Sequence, residues 1–249
     1  MSNIKKPIRV IIPAAGKGTR LKCDDIPKAM HSLCGKPLLE IVLENTDFIS
    51  PDNTYIVVGY KKEKIMEYFG EKYNYVIQGE QLGTGHAVNV CAGEFSDFEG
   101  TVLVTFGDMP MFRKEILEKI CEIHAQKNAA CTLLTAYNPN LDDWAKVIRD
   151  ESGNFKAIVE GKDCTPEQNK LGELFAGVLV FDSKALFSTL PKLSRENAQN
   201  EYYLTDVPRI MREEGLTVDV LMTDDPNDLC GVNTREDLKK CEEIFKKRN

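Results

Sequence analysis

The chain has 249 residues, of which 42% are hydrophobic and 29% are charged, a composition typical of a globular enzyme with a full core. Its formal net charge of −7 argues against a nucleic-acid-binding protein, which needs a basic face, but permits a local phosphate pocket. The eight cysteines form no Cys-x-x-Cys pair and there are only three histidines. These counts argue against a zinc cluster and favour reduced thiols that act as small apolar residues.

Hydrophobic periodicity predicts alternating strands and helices in the first part of the chain. In order, we predict strands at residues 8–12, 55–58, 75–77, 101–105 and 130–136, and helices at 37–44, 62–69, 84–92 and 114–126. The strands are apolar on both faces, as is typical of a parallel sheet covered by helices.

The later part of the chain has a different pattern. Strands predicted at residues 147–149, 155–160 and 174–181 are separated by turns, and helices follow at 183–190, 207–213 and 235–245. We therefore predict an α/β fold, a doubly wound, mostly parallel, Rossmann-like sheet with a mixed or antiparallel extension. No repeat or linker divides the chain, so residues 1–249 are predicted to form a single domain.

The N-terminal residues 1–9 contain no apolar core of signal-peptide length, and no run in the chain approaches a membrane span. We therefore expect a cytoplasmic protein with neither nucleic acid nor membrane as a partner.

The first predicted strand leads into a glycine-rich loop, Ala14-Ala15-Gly16-Lys17-Gly18-Thr19-Arg20, and Pro27-Lys28 follows. Such loops expose backbone N–H groups to phosphate, and Arg20 and Lys28 could neutralise its charge. The loop lacks the ending of a P-loop and the third glycine of the dinucleotide fingerprint, so a tight turn with solvated cations explains it equally well. Since ligands of doubly wound sheets lie beyond the carboxyl ends of the strands, the loops after Ile12, Ile77 and Thr105 are predicted to share one rim.

A second unusual segment runs from Gln78 to Ala87. Gly83 and Gly85 permit close backbone approach, and a helix that begins near Thr84 offers free N–H groups. The Gln78 amide has a donor and an acceptor, which can pair with N3–H and O4 of uracil or thymine. An ordinary helix start would explain the glycines but not Gln78, and His86 is interpreted as a structural helix residue.

Two residues supply hard oxygen atoms of the kind that Mg²⁺ prefers. Asp108 follows the most apolar predicted strand, and Asn233 precedes the last predicted helix. Each could instead belong to a turn or cap, and Thr234 with Asp237 is similar to a capping box. Their separation in sequence does not by itself bring Asp108 and Asn233 together.

With these segments, the chain resembles the nucleotidyltransferases that join a nucleoside triphosphate to a sugar 1-phosphate, in particular the uridylyltransferase domain of the bacterial bifunctional N-acetylglucosamine-1-phosphate uridylyltransferases. The resemblance runs from Ile8 to about Leu238 and includes His31, Gly35-Lys36-Pro37, Ile158-Val159-Glu160-x-Lys162-Asp163 and Glu201-Tyr202-Tyr203-Leu204-Thr205-Asp206. It implies a nucleotide-binding half at about residues 1–137 and a sugar-binding half at about 138–249. As the sequence ends at Asn249, the acetyltransferase domain of the bifunctional enzymes is expected to be absent.

The resemblance also implies a role for each site residue. The nucleoside would be held by Ala14, Ala15, Gly16, Gly18, Gly83 and Thr84, with Gln78 reading the uracil. Arg20 and Lys28 would bind the triphosphate and the sugar phosphate. Asp108 and Asn233 would hold a Mg²⁺ cofactor, and the sugar pocket would be lined by Glu160, Tyr203 and Thr205.

The sequence departs from the family pattern mainly on the sugar side. Phe106 replaces a tyrosine but leaves Asp108 in place, whereas Ala145 replaces a sugar-contacting glycine and Phe175 a sugar-contacting asparagine. An aromatic ring cannot replace the hydrogen bonds of an amide, so the identity of the sugar substrate is left open.

The implied reaction is an in-line attack by a hexose 1-phosphate on the α-phosphorus of UTP. A phosphate monoester loses its second proton near pKa ~6, so no general base is required. Alternatives are another sugar 1-phosphate or dTTP, less readily CTP, and a non-catalytic sugar-nucleotide sensor. The oligomeric state is left open.

Overall fold

The computed structural model describes residues 6–21 and 25–248, which contain eleven strands and eight helices. The strands are β1 (Ile8–Pro13), β2 (Ser32–Leu33), β3 (Lys36–Pro37), β4 (Thr54–Val58), β5 (Asn74–Ile77), β6 (Thr101–Thr105), β7 (Cys131–Tyr137), β8 (Lys146–Arg149), β9 (Phe155–Val159), β10 (Glu173–Asp182) and β11 (Val218–Met222). The helices are α1 (Leu38–Asn45), α2 (Lys62–Phe69), α3 (Thr84–Asn89), α4 (Lys114–Lys127), α5 (Pro166–Asn169), α6 (Ser183–Thr189), α7 (Val207–Glu213) and α8 (Arg235–Arg248).

Nine of the strands form one mixed sheet with the order β11-β7-β10-β6-β1-β4-β5, to which β8 and β9 are added through β10. Strands β6, β1, β4 and β5 are parallel, with Val10 opposite Thr54 and Leu103 in the two neighbours of β1. The long strand β10 is antiparallel to both β6 and β7. The predicted fold class is confirmed, but the antiparallel strand β10 lies inside the sheet and not at its edge.

Helices cover both faces of the sheet because successive strand residues point in opposite directions. Val10 and Ile12 of β1 pack on one side with residues of α1, α2 and α4. Ile11 packs on the other side with residues of α3, α6 and α7. This arrangement explains why the strands are apolar on both faces.

Predicted and observed element bounds agree within one residue except at two helices, α3 and α8. The prediction that the first of these continues to residue 92 is wrong, because i→i+3 bonding takes over after Asn89: the Cys91 N–H donates to the Val88 carbonyl at 3.1 Å, and a 3-10 turn follows at Ala92–Phe95. Helix α8 extends to Arg248, and its last three residues are basic, which favours a helix C-terminus. The division into a nucleotide half and a sugar half stays a prediction.

The sequence does not predict strand β11, because its five residues are half-buried or exposed and Asp219 interrupts the apolar run. It pairs in parallel with β7 at the edge of the sheet, where burial on both faces is not required. The two-residue strands β2 and β3 and the four-residue helix α5 were also not predicted.

The described cysteines are free thiols, and five of them, at positions 91, 121, 131, 230 and 241, are buried. Cys34 is exposed, Cys164 is half-buried, and Cys23 lies outside the described residues. Within residues 6–21 and 25–248, no helix has the length and apolar character needed to cross a bilayer. The cytoplasmic location stays a prediction.

The buried histidine of α4 predicts a pH dependence of stability. Burial lowers the pKa of His124 to about 4, and its Nδ1 lies 3.0 Å from the hydroxyl of Thr132. In the unfolded chain the imidazole binds a proton near pH 6.5, whereas in the folded protein it stays neutral down to about pH 4. The stability that neutral His124 contributes is therefore complete above pH 6.5 and is lost as the pH falls towards 4.

We expect wild type to lose about 2–3 kcal/mol more unfolding free energy than His124→Gln between pH 7 and pH 4.5. Urea denaturation at both pH values measures this difference. Equal losses in the two proteins would show that His124 is not the titrating group.

Candidate active site

The loops at the carboxyl ends of the parallel strands meet at one rim of the sheet. The Ala14 N–H donates to Val57 at 2.8 Å, and the Gly107 N–H donates to Pro13 at 3.0 Å. The Gln81 amide donates to the Ala15 carbonyl at 2.6 Å, which joins the segment after β5 to the glycine-rich loop. The prediction that the loops after Ile12, Ile77 and Thr105 share a rim is confirmed.

The glycine-rich loop curls around the backbone of Lys28. Gly18 has a φ of +71°, and a Cβ atom there would lie 2.9 Å from the Cβ of Lys28. The Lys28 N–H donates to the Gly16 carbonyl at 3.3 Å and begins a 3-10 turn at Lys28–Met30. Glycine at position 18 is therefore needed both for its backbone conformation and for the approach of the lysine.

Four of the predicted site residues converge at this rim. The Lys28 ammonium pairs with the Asp108 carboxylate and donates to Oδ1 of Asn233 at 2.8 Å. The Arg20 guanidinium donates to the same Asn233 oxygen at 3.0 Å. The Lys28 side chain is only 15% exposed and that of Asp108 is 26% exposed, so the pair is partly shielded from water.

Asn233 reaches this cluster because its segment is held by backbone bonds. The Val232 N–H donates to the Asp108 carbonyl at 2.9 Å, and a Cβ at Gly231 would lie 2.2 Å from the sulfur of Met109. Asp237 accepts from the N–H groups of Asn233 and Thr234 at 3.0 and 2.8 Å. Since the Thr234 hydroxyl accepts from the Asp237 N–H at 3.1 Å, the predicted capping box is confirmed.

The oxygen atoms of Asp108 and Asn233 fit a small hard cation. A positive charge, the Lys28 ammonium, already lies against both of them. Among the residues that the structure describes there is no group of three or more His, Cys, Asp or Glu side chains able to hold a metal ion. A cation here would thus take its other ligands from water and substrate phosphate, as Mg²⁺ commonly does.

Gln78 is buried at the end of β5, with 5% of its surface exposed. Its Nε2 group donates to the Gly83 carbonyl at 3.3 Å and lies 3.0 Å from Nδ1 of His86. Nε2 is therefore engaged by groups of the protein, and the role of Gln78 in base recognition stays a prediction. The remaining group, Oε1, is an acceptor and matches the N3–H of uracil or thymine.

His86 also contributes to this site, since its Nδ1 helps to hold the Gln78 amide in place. The sequence predicts only a structural helix residue at this position and does not show the contact.

The glycines of the second loop accommodate protein backbone. Gly83 has a φ of +112°, and a Cβ there would lie 2.6 Å from the carbonyl oxygen of Tyr202. The Gly85 N–H donates to that same oxygen at 2.7 Å, and the Thr84 hydroxyl accepts from the Leu204 N–H at 3.0 Å. The segment after Gln78 is thus docked on the segment that contains Tyr203 and Thr205.

The predicted sugar-pocket residues form two hydrogen-bonded groups. The Thr205 hydroxyl donates to Glu160 at 2.8 Å, and burial is the main cause that raises the pKa of this carboxyl. The Tyr203 hydroxyl donates to Asp163 at 3.1 Å, and burial raises its pKa to about 12. Neutral Tyr203 therefore acts as a hydrogen-bonding group at physiological pH.

Two further polar side chains belong to this region. The Gln199 amide donates to the Tyr203 hydroxyl at 2.9 Å and accepts from Lys162 at 2.7 Å. Lys162 and Asp163 were part of the quoted motif but had no predicted role, and Gln199 carried no signal beyond its place in a polar run. A chain of hydrogen bonds runs from Lys162 through Gln199 and Tyr203 to Asp163. Sequence spacing alone could not show this connection.

A family profile described as the MobA-like NTP transferase domain matches residues 10–204. The chain belongs to this family. It is 39% identical over 241 residues to the bifunctional protein GlmU of Alkaliphilus metalliredigens (strain QYMF), covering 97% of the chain and 52% of that protein. It is 38% identical over 238 residues to GlmU of Bacillus thuringiensis (strain Al Hakam), covering 96% of the chain and 52% of that protein. The chain therefore spans about half the length of these relatives.

The fold is that of a solved nucleotidyltransferase structure. A UDP-glucose pyrophosphorylase complexed with UDP-glucose superimposes with a TM-score of 0.79 at 17% identity, covering 98% of this chain and 100% of that one. An apo UDP-glucose pyrophosphorylase superimposes with a TM-score of 0.78 at 16% identity, covering 97% of this chain and 99% of that one. Together with the family profile, these matches confirm the resemblance to nucleotidyltransferases.

The two positions that depart from the family pattern on the sugar side are directly joined. The Phe175 N–H donates to the Ala145 carbonyl at 2.9 Å, and the Trp144 indole donates to the Phe175 carbonyl at 2.7 Å. The Phe175 ring is 5% exposed and packs in the apolar cluster beneath the sheet. Its position thus offers no polar side-chain group to a ligand.

A stability prediction follows from Glu160. Because its pKa is raised in the folded protein, its favourable contribution is present at low pH and is lost as pH rises through the folded pKa. We expect Glu160→Gln to raise Tm by roughly 2–4 °C at pH 7.5 and by less near pH 4.

Calorimetry at the two pH values measures this effect. As a control, Glu173→Gln removes a carboxylate that pairs with Arg149 at 2.6 Å, and it should give no gain at pH 7.5. A Glu160→Gln variant that is less stable than wild type at pH 7.5 would contradict the prediction.

Proposed function

We propose that the chain is a sugar-1-phosphate uridylyltransferase. It joins UTP to a hexose 1-phosphate, either N-acetylglucosamine 1-phosphate or a related sugar, and gives a UDP-sugar and pyrophosphate. The proposal is carried by the convergence of Arg20, Lys28, Asp108 and Asn233 beside the glycine-rich loop. The family, the identity to GlmU and the fold shared with UDP-glucose pyrophosphorylase support it.

In the proposed reaction, a phosphate oxygen of the sugar 1-phosphate attacks the α-phosphorus of UTP. The bond from the α-phosphorus to the bridging oxygen breaks, and pyrophosphate leaves with that oxygen. No base is needed, because the attacking phosphate is largely a dianion above pH ~6. Catalysis therefore rests on positioning and on neutralising the charge of two anions.

Each member of the cluster has a part in this step. Lys28, held between two segments, draws the attacking phosphate and the α-phosphate together, and Arg20 stabilises the departing pyrophosphate. Asp108 and Asn233 would hold Mg²⁺, which supplies further charge neutralisation when bound. The substrate phosphates replace Asp108 as the partners of the Lys28 ammonium.

Base selection follows from the single acceptor that Gln78 presents. Uracil and thymine both carry a hydrogen on N3, whereas cytosine has an acceptor there and would face Oε1 unfavourably. We therefore propose UTP or dTTP over CTP. On the sugar side, Glu160 is the acceptor proposed for sugar hydroxyl groups, and Thr205 orients it.

Pyrophosphate release from the purified chain tests the proposal. UTP, dTTP and CTP are each combined with N-acetylglucosamine 1-phosphate, glucose 1-phosphate and galactose 1-phosphate in the presence of Mg²⁺, and mass spectrometry identifies the product. We expect turnover with UTP and at least one sugar. Turnover with CTP alone would overturn the base assignment, and no turnover in any combination, with UDP-sugar binding retained, would indicate a sensor.

A further inference from the structure

Two buried thiols, those of Cys230 and Cys241, touch each other next to the segment that carries Asn233. Cys230 follows the 3-10 turn at Pro226–Leu229, and Cys241 lies on α8. Their sulfur atoms are 2.7 Å apart, and the Cys241 thiol also lies 3.5 Å from the carbonyl oxygen of Cys230. Cys241 has no exposed surface and Cys230 is 9% exposed, within an apolar cluster that includes Leu33 and Val232.

This separation is unusually short for two unbonded sulfur atoms. Even carbon atoms, which are smaller, prefer roughly 3.5–4.0 Å. A disulfide bond is about 2.05 Å long, so bond formation would move these atoms by only about 0.7 Å. The fold therefore brings the two side chains close to bonding distance without a rearrangement of α8.

The surroundings also distinguish Cys230 from the other buried thiols. Burial raises the pKa of Cys91 and of Cys121 to about 12, which keeps these thiols protonated and unreactive. The pKa of Cys230 is lowered, first by a hydrogen bond from Cys241 and, despite burial, also by the charge of Lys240. Cys230 is also the more exposed member of the pair.

We propose that Cys230 and Cys241 are a reversible dithiol–disulfide pair, oxidised by a small-molecule disulfide such as oxidised glutathione. The Cys230 thiolate attacks one glutathione sulfur, whose disulfide bond breaks and releases the other glutathione as a thiolate. Cys241 then loses its proton and attacks the Cys230 sulfur, and the second glutathione leaves. The protein loses two hydrogens and forms one disulfide, while one glutathione disulfide becomes two thiols.

The bond would join α8 to the segment that supplies Asn233. On its other side this segment is already tied to the Asp108 carbonyl through Val232. The far end of α8 is anchored separately, since Arg248 donates to the carboxylates of Asp225 and Asp228. Oxidation would therefore close a short covalent loop within a region that is already ordered, and the expected result is a more stable protein.

Peptide mapping of the full chain tests the pair. The protein is equilibrated with oxidised glutathione, free thiols are alkylated, and trypsin is added without reductant; it cleaves between the two cysteines at Arg235, Lys239 and Lys240. We expect a linked peptide whose mass is about 2 Da below the sum of its reduced parts, since two hydrogens are lost on oxidation. Tm should rise by roughly 5–10 °C, and dithiothreitol should reverse the rise.

Two alanine variants separate this pair from other oxidation. Cys241→Ala should lose both the linked peptide and the rise in Tm, whereas Cys121→Ala, which also removes a buried helical thiol, should keep both. If wild type gives no linked peptide while the exposed Cys34 becomes glutathionylated, the proposal is overturned, even if a variant fails to fold. An equal rise in Tm in Cys241→Ala would overturn it too. These readouts do not depend on the proposed enzymatic activity.

Discussion

Replacing Asp108 with asparagine is expected to lower kcat/KM for nucleotidyl transfer by about 10³-fold while the fold is retained. The carboxylate is the acidic partner of Lys28 and the only charged oxygen group proposed for the cation. Asparagine keeps the size of the side chain but removes its charge, and single charge-stabilising groups are typically worth 10²–10³ in rate. The Asp108 carbonyl still accepts from Val232, so the backbone link to the Asn233 segment stays intact.

The matched control is Asp150→Asn. Asp150 is similarly exposed, at 28% against 26%. It directly follows strand β8 and pairs with Arg212 of helix α7 at 2.9 Å, and neither residue has a role in the proposed chemistry. Steady-state kinetics should give near wild-type kcat/KM for this variant, and thermal melts should show both variants folded. If Asp108→Asn keeps more than about a tenth of the wild-type kcat/KM, the proposed role of this carboxylate is wrong.

The fold could be predicted from the sequence because burial on both faces leaves a strong signal. Strand β6 was predicted with its observed bounds because all five of its residues are buried and apolar or β-branched. Strand β11 gave no such signal, since it lies at the edge of the sheet and none of its five residues is fully buried. The central position of β10 depends on pairing partners far away in the chain, which periodicity does not report.

The residues of the candidate site could be proposed from the sequence, but most of the contacts between them could not. Glycine and lysine at positions 18 and 28 could be interpreted from their local pattern, since the loop folds on itself. Asp108 and Asn233 are brought together by long-range contacts, the backbone bond from Val232 and the shared Lys28 ammonium, which the sequence does not show.

Some groups to which the resemblance gives a role in nucleotide binding also make contacts within the protein. Gly83 makes room for the Tyr202 carbonyl, and the Thr84 hydroxyl accepts from the backbone of Leu204. The Gln78 amide hydrogens are engaged by Gly83 and His86. The contacts of Gly83 and Thr84 join the proposed nucleotide side to the proposed sugar side, so these two segments are held together before a ligand binds.

Replacing Lys28 with methionine is expected to lower kcat/KM by about 10²–10³-fold and to raise KM for both substrates. Methionine preserves the length and apolar stem of a side chain that is only 15% exposed, so the main loss is the ammonium group. Because that group is proposed to contact both anions, its removal should weaken the binding of each. Lys192→Met, which removes a charge paired with Glu214 at 2.5 Å on the exposed surface, is the control and should leave kcat/KM unchanged.

A double-mutant cycle tests whether Lys28 and Asp108 act together. The two side chains touch, so we expect the double variant to lose clearly less than the product of the two single losses. Initial rates with each substrate varied in turn, for all four proteins, supply the coupling and the separate KM values. Strict additivity would mean that the two groups act independently, and a KM change confined to UTP would mean that Lys28 does not contact the sugar phosphate.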